Sequence, residues 1–166
     1  QKENSLQHKI LLAKSINVKP RNRYTKILVN RMKLALLSTK SGVGIAAPQV
    51  GINRNIIWVQ RFDLPQKPLN YFLNPVITWR SETLNLGPEG DLSIADFRDQ
   101  FYRSKLIQLN YEDLNGKKHT EIIEGFTAVI IQHEIDHLFG ILISDKIKEQ
   151  QTKNFQPIQT FQEIKK

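Results

Sequence analysis

The pattern of apolar residues predicts helices at two places in the chain. Over Tyr24–Thr39 the spacing is near 3.6 residues, which predicts an amphipathic helix that ends at the Ser41-Gly42 pair. Over Phe126–Ile131 the chain is apolar without glycine or proline, which predicts a buried helix that ends near Gly140. The polar, glutamine- and lysine-rich stretch after Asp145 predicts a C-terminal helix or a frayed tail.

Residues with high strand propensity are grouped between these two helices. Three runs separated by proline, asparagine and glycine predict strands over 55–60, 71–78 and 83–86. Residues 105–112 alternate apolar with polar side chains, and Asn115-Gly116 predicts a hairpin turn into residues 117–124. Because the strands are grouped and do not alternate with helices, the predicted fold class is α+β.

Length and composition predict one domain over residues 1–166, since the chain has 166 residues and 40% apolar content. The apolar runs are too short for a membrane span or a retained signal sequence. Since the chain begins at Gln1, we expect the natural N-terminus to have been trimmed, together with any targeting segment.

Charge and cysteine content narrow the candidate functions. The formal charge is +8, but the lysines and arginines are scattered without a dense block, which favours a solvated basic surface over a dedicated nucleic-acid site. The chain has no cysteine, which excludes disulfides, thiolate nucleophiles and thiolate metal ligands. Histidine and carboxylate remain as the metal donors.

The sequence Gln-His-Glu-Ile-Asp-His-Leu at 132–138 is a metal-hydrolase signature. On a helix, His133 and His137 lie one turn apart on one face, where two imidazoles can bind one divalent ion. Glu134 lies beside them, so its carboxylate can take a proton from metal-bound water. The motif therefore predicts a catalytic metal centre with Glu134 as general base.

A catalytic metal site of this kind needs a third protein ligand. A metzincin would place a histidine at position 143, which is Ile143, so that family is excluded. A thermolysin-like protease would use a downstream glutamate, but Glu149 is too near and Glu163 lies in the polar tail. The segment 87–93, Gly-Pro-Glu-Gly-Asp-Leu-Ser, offers a carboxylate in a glycine-flanked stretch at the edge of a strand.

Three segments, in this order, resemble the signature motifs of the peptide deformylase family. They are Gly-Val-Gly-Ile-Ala-Ala-Pro-Gln at 42–49, Glu-Gly-Asp-Leu-Ser at 89–93, and the histidine motif at 132–138. The similarity extends over about residues 24–146. It implies a deformylase-like fold with antiparallel or mixed sheets around a central metal-binding helix, an N-terminal helix and a C-terminal helix.

The resemblance implies removal of the formyl group from formyl-methionyl peptides, with formate released by attack of metal-bound water. It implies one divalent metal ion, natively iron(II) in the family and often zinc or nickel in purified material. The chain departs from the family at Asp91, where deformylases carry a cysteine as the third metal ligand. Since a carboxylate brings the same charge as a thiolate, we expect Asp91, His133 and His137 to form a metal site, with zinc the ion most often bound.

The resemblance also implies roles for residues outside the metal set. The side-chain amide of Gln49 and the backbone N–H of Leu92 would stabilise the oxyanion formed on the formyl carbon. Gly44 would let the substrate backbone lie close to the chain. The remaining residues implied in substrate binding are Val43, Ile45, Glu89, Gly90, Arg103, Phe126, Val129 and Ile130.

Several residues keep two interpretations. Asp136 either orients a metal ligand or forms a salt bridge on the helix, and Arg103 either faces the substrate or has a structural role. Val43, Phe126, Val129 and Ile130 either line a methionine pocket or pack in the core. His8 and His119 belong to no motif, so we interpret both as surface histidines.

Three functions compete. The first is a formyl-methionyl peptide deformylase, with transient ribosome contact implied by the resemblance alone. The second keeps the fold and the metal but acts on another blocked amide or on an ordinary peptide. The third is an inactive deformylase-like binding protein, which the retention of Glu134 and Gln49 disfavours. Deformylation predicts a cytoplasmic location, with an exported form of the protein as the alternative.

Overall fold

The computed structural model describes residues 2–91, 94–143, 145 and 146, with the backbone alone for 2–4, 88, 90, 91 and 94–100. Among these residues no helix has the length and apolar character needed to cross a bilayer. The helices are α1 (Lys2–Leu12), α2 (Arg23–Leu37) and α3 (Gly125–Leu138). The strands are β1 (Gly44–Ala46), β2 (Ile56–Gln60), β3 (Leu69–Arg80), β4 (Leu84–Asp91), β5 (Ile94–Ser104), β6 (Leu106–Glu112) and β7 (Lys118–Glu124).

Helix α2 confirms the first predicted helix, although it ends at Leu37, with Ser38 as its C-cap, before the predicted Ser41-Gly42. Its N-terminus is capped by Asn22, whose side-chain oxygen accepts a hydrogen bond from the backbone N–H of Tyr24 at 2.8 Å. One face buries Leu28, Val29 and Met32 against β1, β2 and the start of the following 3₁₀ helix, Ala47–Val50. The apolar stripe and the cap together explain both where this helix begins and which face it buries.

Five strands form one antiparallel sheet in the order β1-β2-β3-β6-β7. The β6–β7 hairpin turns at Asn115-Gly116, as predicted, and Gly116 has a φ of 78°. The second sheet is the two-stranded ribbon of β4 and β5, also antiparallel. The α+β class with antiparallel sheets is therefore confirmed.

Helix α3 lies at the centre of the fold. It contacts β1, β2, β5, β6, β7 and the 3₁₀ helix, and most of its residues are buried. Helix α3 ends where the backbone N–H groups of Gly140 and Ile141 bond back to the carbonyls of His137 and Asp136, and Gly140 has a φ of 73°. The predicted stop at Gly140 is confirmed, because glycine adopts this conformation without a Cβ penalty.

The structure adds elements that the apolar pattern did not indicate. Helix α1 is largely polar and exposed, so it lacks the apolar stripe that would have predicted it. Strand β4 extends beyond 83–86 to Asp91 despite Gly87, Pro88 and Gly90, because a two-stranded ribbon tolerates residues that would interrupt a central strand. The predicted C-terminal helix lies outside the described residues.

Candidate metal centre and active site

Two imidazoles and one carboxylate converge on the inward face of α3. The ring centroids of His133 and His137 are 5.1 Å apart with their planes at 74°, as expected for side chains one turn apart. One ligand atom from each of His133, Glu134 and His137 lies within 4.8 Å of the other two. The helical spacing therefore becomes a compact set of donors in the folded chain.

The orientation of His133 is set by Glu89 on β4. The Nδ1–H of His133 donates to Oε1 of Glu89 at 2.9 Å, across 44 positions of sequence. The other ring nitrogen, Nε2, lies 3.8 Å from Oε1 of Glu134. Because Nδ1 carries the proton in this hydrogen bond, Nε2 is the nitrogen that can donate its lone pair to a metal ion.

A buried arginine holds the Glu89 carboxylate in place. Arg103 on β5 is 5% exposed and donates from Nε and one terminal nitrogen to the two oxygens of Glu89, both at 2.9 Å. Its other terminal nitrogen donates to Asp136 on α3. Arg103 thus joins the β4–β5 ribbon to α3, and Asp136 belongs to a buried network of ion pairs that also contains Glu89, the partner of His133.

The charges of this network reinforce one another. Burial by itself would lower the pKa of His133, but the hydrogen bond to Glu89 and the charges of Glu134 and Glu89 raise it above its ordinary value. Burial would raise the pKa of Glu89, but the hydrogen bonds from His133 and Arg103 hold it below its usual range. Glu89 is therefore ionised at neutral pH and acts as an acceptor for both partners.

Gln132 is a site-forming residue to which the sequence analysis assigned no role. Its side-chain oxygen accepts from the backbone N–H of Ser104 at 3.0 Å, and its nitrogen donates to the Ser104 carbonyl at 2.8 Å. The amide thereby pairs with the end of β5 in the way a neighbouring strand would. Its position immediately before His133 was the available signal, since a polar residue there interrupts an otherwise apolar run.

The side chain of Gln49 has a defined orientation in the 3₁₀ helix after β1. Its oxygen accepts a hydrogen bond from the backbone N–H of Ala46 at 2.8 Å. With the oxygen held there, the amide nitrogen, which is a hydrogen-bond donor, points to the other side of the group. This polarity matches the role of hydrogen-bond donor to an oxyanion.

Gly44 allows close packing between β1 and α3. A Cβ atom at this position would lie 2.8 Å from Cγ2 of Ile130 and 3.1 Å from Cγ of Glu134. Real Cβ atoms essentially never approach another atom as closely as 2.8 Å, and 3.1 Å is tighter than most such contacts, so the absence of a side chain makes room for both Ile130 and Glu134. The close approach that this glycine permits in the folded chain is that of α3.

Comparison with known proteins places this arrangement in a family. The model of the polypeptide deformylase family matches residues 4–153. The chain belongs to the polypeptide deformylase family. The peptide deformylase of Leptospira biflexa is 40% identical over 114 residues, 64% of this chain and 64% of that protein. That of Prochlorococcus marinus is 37% identical over 139 residues, 80% of this chain and 68% of that protein. The matched part of the chain thus spans just under two thirds of the Leptospira protein.

Solved deformylase structures share the fold. A class I type b peptide deformylase from Acinetobacter baumannii superimposes with a TM-score of 0.77 at 35% identity, covering 82% of this chain and 91% of that one. The peptide deformylase of Plasmodium falciparum gives a TM-score of 0.77 at 31% identity, covering 88% and 87%. The predicted family and its α+β fold are confirmed by these matches.

The residues predicted to contact substrate do not all lie on one face. Ile130 is buried in the core between α3 and the sheet, and Val43 packs against the same core. Ile45 is buried on the opposite side of β1, in the core beneath α2. Val129 is half-buried, and Phe126 is 50% exposed at the start of α3, with its ring 5.1 Å from that of Phe62. A pocket role for these side chains stays a prediction.

Three predicted functional positions fall at the limit of the described residues. The backbone of Gly90 and Asp91 completes β4, but their side-chain surroundings, and therefore the predicted Asp91 ligand, are not described. Leu92, the predicted oxyanion donor, lies outside the described residues altogether. On the same strand Asp91 lies two residues beyond Glu89, whose side chain bonds to His133.

Two histidines outside the motif differ in their surroundings. His8 is exposed on α1, as the sequence analysis expected of a surface residue. His119 is only partly exposed, because its ring stacks on Tyr111 with centroids 5.0 Å apart and its Nε2 lies 2.8 Å from Oδ2 of Asp113. Both lie outside the metal centre, and His119 belongs to the packing of the β6–β7 hairpin.

The donors present fit a divalent metal ion. His133 presents Nε2 because Nδ1 is engaged, His137 follows one turn later, and carboxylates lie beside them. Two histidines and a carboxylate form a known catalytic zinc set, and a carboxylate bonded to the outer nitrogen of a ligand histidine is the usual support for such a site. The buried Arg103 balances the charge of Glu89, so the ion would not have to neutralise it.

Proposed function

We propose that this chain is a metal-dependent peptide deformylase that hydrolyses the formyl amide of N-formylmethionyl peptides and releases formate. The observation that carries the proposal is the Glu89–His133 hydrogen bond beside Glu134 on a buried helix. This arrangement defines a metal-facing nitrogen and places a carboxylate within 3.8 Å of it. It is the arrangement expected of a working hydrolase site.

Substrate class follows from the relatives. The Acinetobacter baumannii deformylase has been solved with Met-Ala-Ser bound, and it superimposes on this chain with a TM-score of 0.76 at 34% identity. Met-Ala-Ser is the peptide that deformylation of formyl-Met-Ala-Ser would leave. We therefore assign N-formylmethionyl peptides as the substrates, and cytoplasm, where such chains would be made, as the location.

The metal would be held by Nε2 of His133, by His137 and by the carboxylate of Asp91. Asp91 replaces the family's cysteine with a donor of the same charge but harder character, which favours zinc or iron(II) held by nitrogen and oxygen alone. A bound divalent ion would polarise the formyl carbonyl and lower the pKa of the attacking water. Glu134 is the alternative carboxylate ligand next to the two histidines, but we assign proton transfer to it instead.

Glu134 acts as the general base and then as the general acid. Its carboxylate takes a proton from the attacking water as the oxygen bonds to the formyl carbon, and it passes that proton to the amine nitrogen as the C–N bond breaks. Gly44 lies close to its side chain, since a Cβ built there would be 3.1 Å from Cγ of Glu134, and this packing restricts its movement. Such a positioned acid–base group typically contributes a factor of about 10² to 10⁴ in rate.

Gln49 stabilises the negative charge that develops on the formyl oxygen. The Ala46 N–H holds its side-chain oxygen, so the amide nitrogen is the end that donates to the oxyanion. The Leu92 N–H is the second proposed donor. Removing one such donor typically costs a factor of about 10² to 10³ in kcat.

The substrate backbone would bind along the free edge of β1. In the five-stranded sheet β1 is an edge strand, because it pairs with β2 alone among the described strands. An extended peptide laid along this edge would form main-chain hydrogen bonds and bring its N-terminal end beside Gln49 and Glu134. Val43, Phe126 and Val129 are the side chains proposed to contact the methionine.

One assay separates the proposed function from its rivals. Formate release is measured with formyl-Met-Ala-Ser, and amine release with acetyl-Met-Ala-Ser and with unblocked peptide. We expect formate from wild type and at least a 10²-fold loss in Glu134→Gln. Cleavage of acetylated or unblocked peptide instead would favour a different amide substrate, which is the second candidate because Asp91 changes the ligand set. No reaction with any of the three would favour a binding protein.

The proposed metal set has its own test. Protein purified without added metal is analysed by elemental analysis beside Asp91→Ala and Asp91→Cys. We expect close to one equivalent of zinc or iron in wild type, a large loss in Asp91→Ala, and recovery in Asp91→Cys. Metal content that is unchanged in Asp91→Ala would exclude Asp91 as a ligand without bearing on substrate identity.

A further inference from the structure

Basic residues are concentrated in the first part of the chain. Residues 1–62 contain twelve lysines and arginines but a single acidic residue, Glu3. The remaining residues contain more acidic than basic side chains, so the positive charge of the whole chain comes from this part. A charge asymmetry of this size is typical of a surface that faces a polyanion.

The fold gathers six of the cations at one corner. Lys19, Arg21, Arg23 and Lys26 lie at the start of α2, and Lys117 and Lys118 lie at the β6–β7 turn. The two segments are joined by a hydrogen bond from Nε of Arg21 to the carbonyl of Asn115 at 2.9 Å. These six residues are called the basic corner below. Scattered charges in the sequence thereby become neighbours in space.

The backbone of the basic corner is held in place. The carbonyl of Lys19 accepts hydrogen bonds from the Thr25 hydroxyl at 2.8 Å and from the Asn22 N–H at 3.1 Å. Asn22 in turn caps α2. The cations therefore project from a fixed turn and a helix end, which reduces the entropy lost when a ligand binds.

The cations of the basic corner are available to a partner. All six side chains are exposed, and within the described part of the chain none of them forms an ion pair. Among the described contacts of these cations, the side-chain hydrogen bond from Nε of Arg21 goes to the backbone carbonyl of Asn115, which carries no charge. Two carboxylates lie on the same hairpin, Glu112 directly opposite Lys118 and Asp113 bonded to the Lys117 N–H, so six cations against two carboxylates leave the corner with a net positive charge.

An aromatic side chain lies among the cations. Tyr24 is 78% exposed and is flanked in sequence by Arg23 and, two positions later, by Lys26. A base can stack on an exposed ring while neighbouring cations bind phosphates. The most exposed aliphatic residues of α2, Leu34 and Leu37, lie roughly 12 and 16 Å farther along the axis from Lys26. The corner therefore fits a nucleic-acid strand better than a lipid surface, which would require apolar side chains to insert.

We propose that the basic corner is a sequence-independent RNA-binding surface, separate from the metal centre. Lysine and arginine side chains bind the phosphate backbone, and Tyr24 stacks on a base. This proposal does not depend on the deformylase activity.

The test compares two variants of equal charge. Binding of a fluorescein-labelled 20-nucleotide oligouridine is followed by fluorescence anisotropy between 50 and 200 mM KCl. The corner variant is Arg23→Gln/Lys26→Gln/Lys117→Gln, and the matched control is Lys9→Gln/Lys40→Gln/Arg80→Gln, whose three residues are exposed and lie away from the corner. Both variants lose three positive charges.

We expect the corner variant to bind at least tenfold more weakly at 100 mM KCl. The magnitude of its slope of log affinity against log salt concentration should decrease by about 2, because each of the three lost phosphate contacts contributes about 0.7. The control should change affinity less than twofold. Tyr24→Ala should weaken binding about fivefold or more with an unchanged salt slope, and Tyr24→Phe should restore it.

The other outcomes would overturn the proposal. Equal loss in both triple variants would show that overall charge, not the basic corner, binds RNA. Binding to vesicles of phosphatidylcholine with one third phosphatidylglycerol, without binding to oligouridine, would assign the corner to lipid. Formate release from formyl-Met-Ala-Ser is measured on every variant and should stay unchanged, so a failure here is distinguishable from a failure of the proposed function.

Discussion

His133 and Glu89 are 44 positions apart in the chain, yet the Nδ1–H of the first donates to Oε1 of the second at 2.9 Å. The histidine belongs to α3 and the glutamate to the β4–β5 ribbon. This one hydrogen bond selects the tautomer of a proposed metal ligand and links the metal helix to the segment that carries Asp91.

Glu89→Ala should weaken metal binding by about 10- to 100-fold, because His133 loses the acceptor that orients its ring. The measurement is zinc affinity by competition with a chromophoric chelator. Glu124→Gln, on an exposed glutamate of β7, is the control and should bind zinc like wild type. An unchanged zinc affinity in Glu89→Ala would mean that the ring is held by other contacts.

Arg103→Met should destabilise the fold by about 3–5 kcal/mol, because Glu89 and Asp136 would be left buried without their shared cation. The free energy of unfolding is measured in urea with chelator present, so that metal binding does not contribute. Arg80→Met, on an exposed arginine at the end of β3, should change it by less than about 0.5 kcal/mol. A loss below about 1 kcal/mol in Arg103→Met would show that the two carboxylates find other partners or solvent.

Gly44→Ala should lower kcat by at least tenfold while leaving the protein folded. The added methyl group would overlap Ile130 and press on the side chain of Glu134, moving the proposed base. Gly87→Ala is the matched control, since a Cβ there meets nothing within 4 Å. Circular dichroism checks the fold of both variants. Full activity in Gly44→Ala would show that α3 shifts without affecting catalysis.

A second buried arginine, through its two carboxylate partners, makes the stability of the fold depend on pH in the acid range. Arg61 is 2% exposed and bonds to Asp63 and Glu121. Burial would raise the pKa of each carboxyl, but the hydrogen bonds from Arg61, and for Glu121 also from Tyr111, hold each pKa below its ordinary value. Because the folded-state pKa lies below that of the unfolded chain, the stabilisation is complete above about pH 5 and is lost as the pH falls below about 4.

The double variant Asp63→Asn/Glu121→Gln should therefore lose less stability than wild type between pH 5.5 and 3.5. The free energy of unfolding in urea is measured at both pH values. Glu82→Gln/Glu124→Gln removes two exposed carboxylates and should keep the wild-type dependence. An identical pH dependence in all three proteins would assign acid sensitivity to other groups.

The sequence by itself determined the metal helix, the hairpin and α2. His133 and His137 meet because helical neighbours are set by spacing alone, and Asn115-Gly116 turns because its residues favour the required dihedral angles. The family was also recognisable, since its three motifs are contiguous runs of residues. Such signals are local, so no knowledge of the packing was needed to read them.

Only the tertiary structure decided which residues far apart in the sequence contact one another. The motifs implied substrate contact for Glu89 and left Arg103 with two interpretations, and they gave no sign that Glu89 bonds to His133 or that Arg103 bonds to Glu89 and Asp136. Gly44 faces Glu134, and Arg21 meets the hairpin, through contacts between elements far apart in sequence. These pairings depend on how the ribbon, the helices and the sheet pack together, and residue type alone leaves that geometry undetermined because many partners have compatible chemistry.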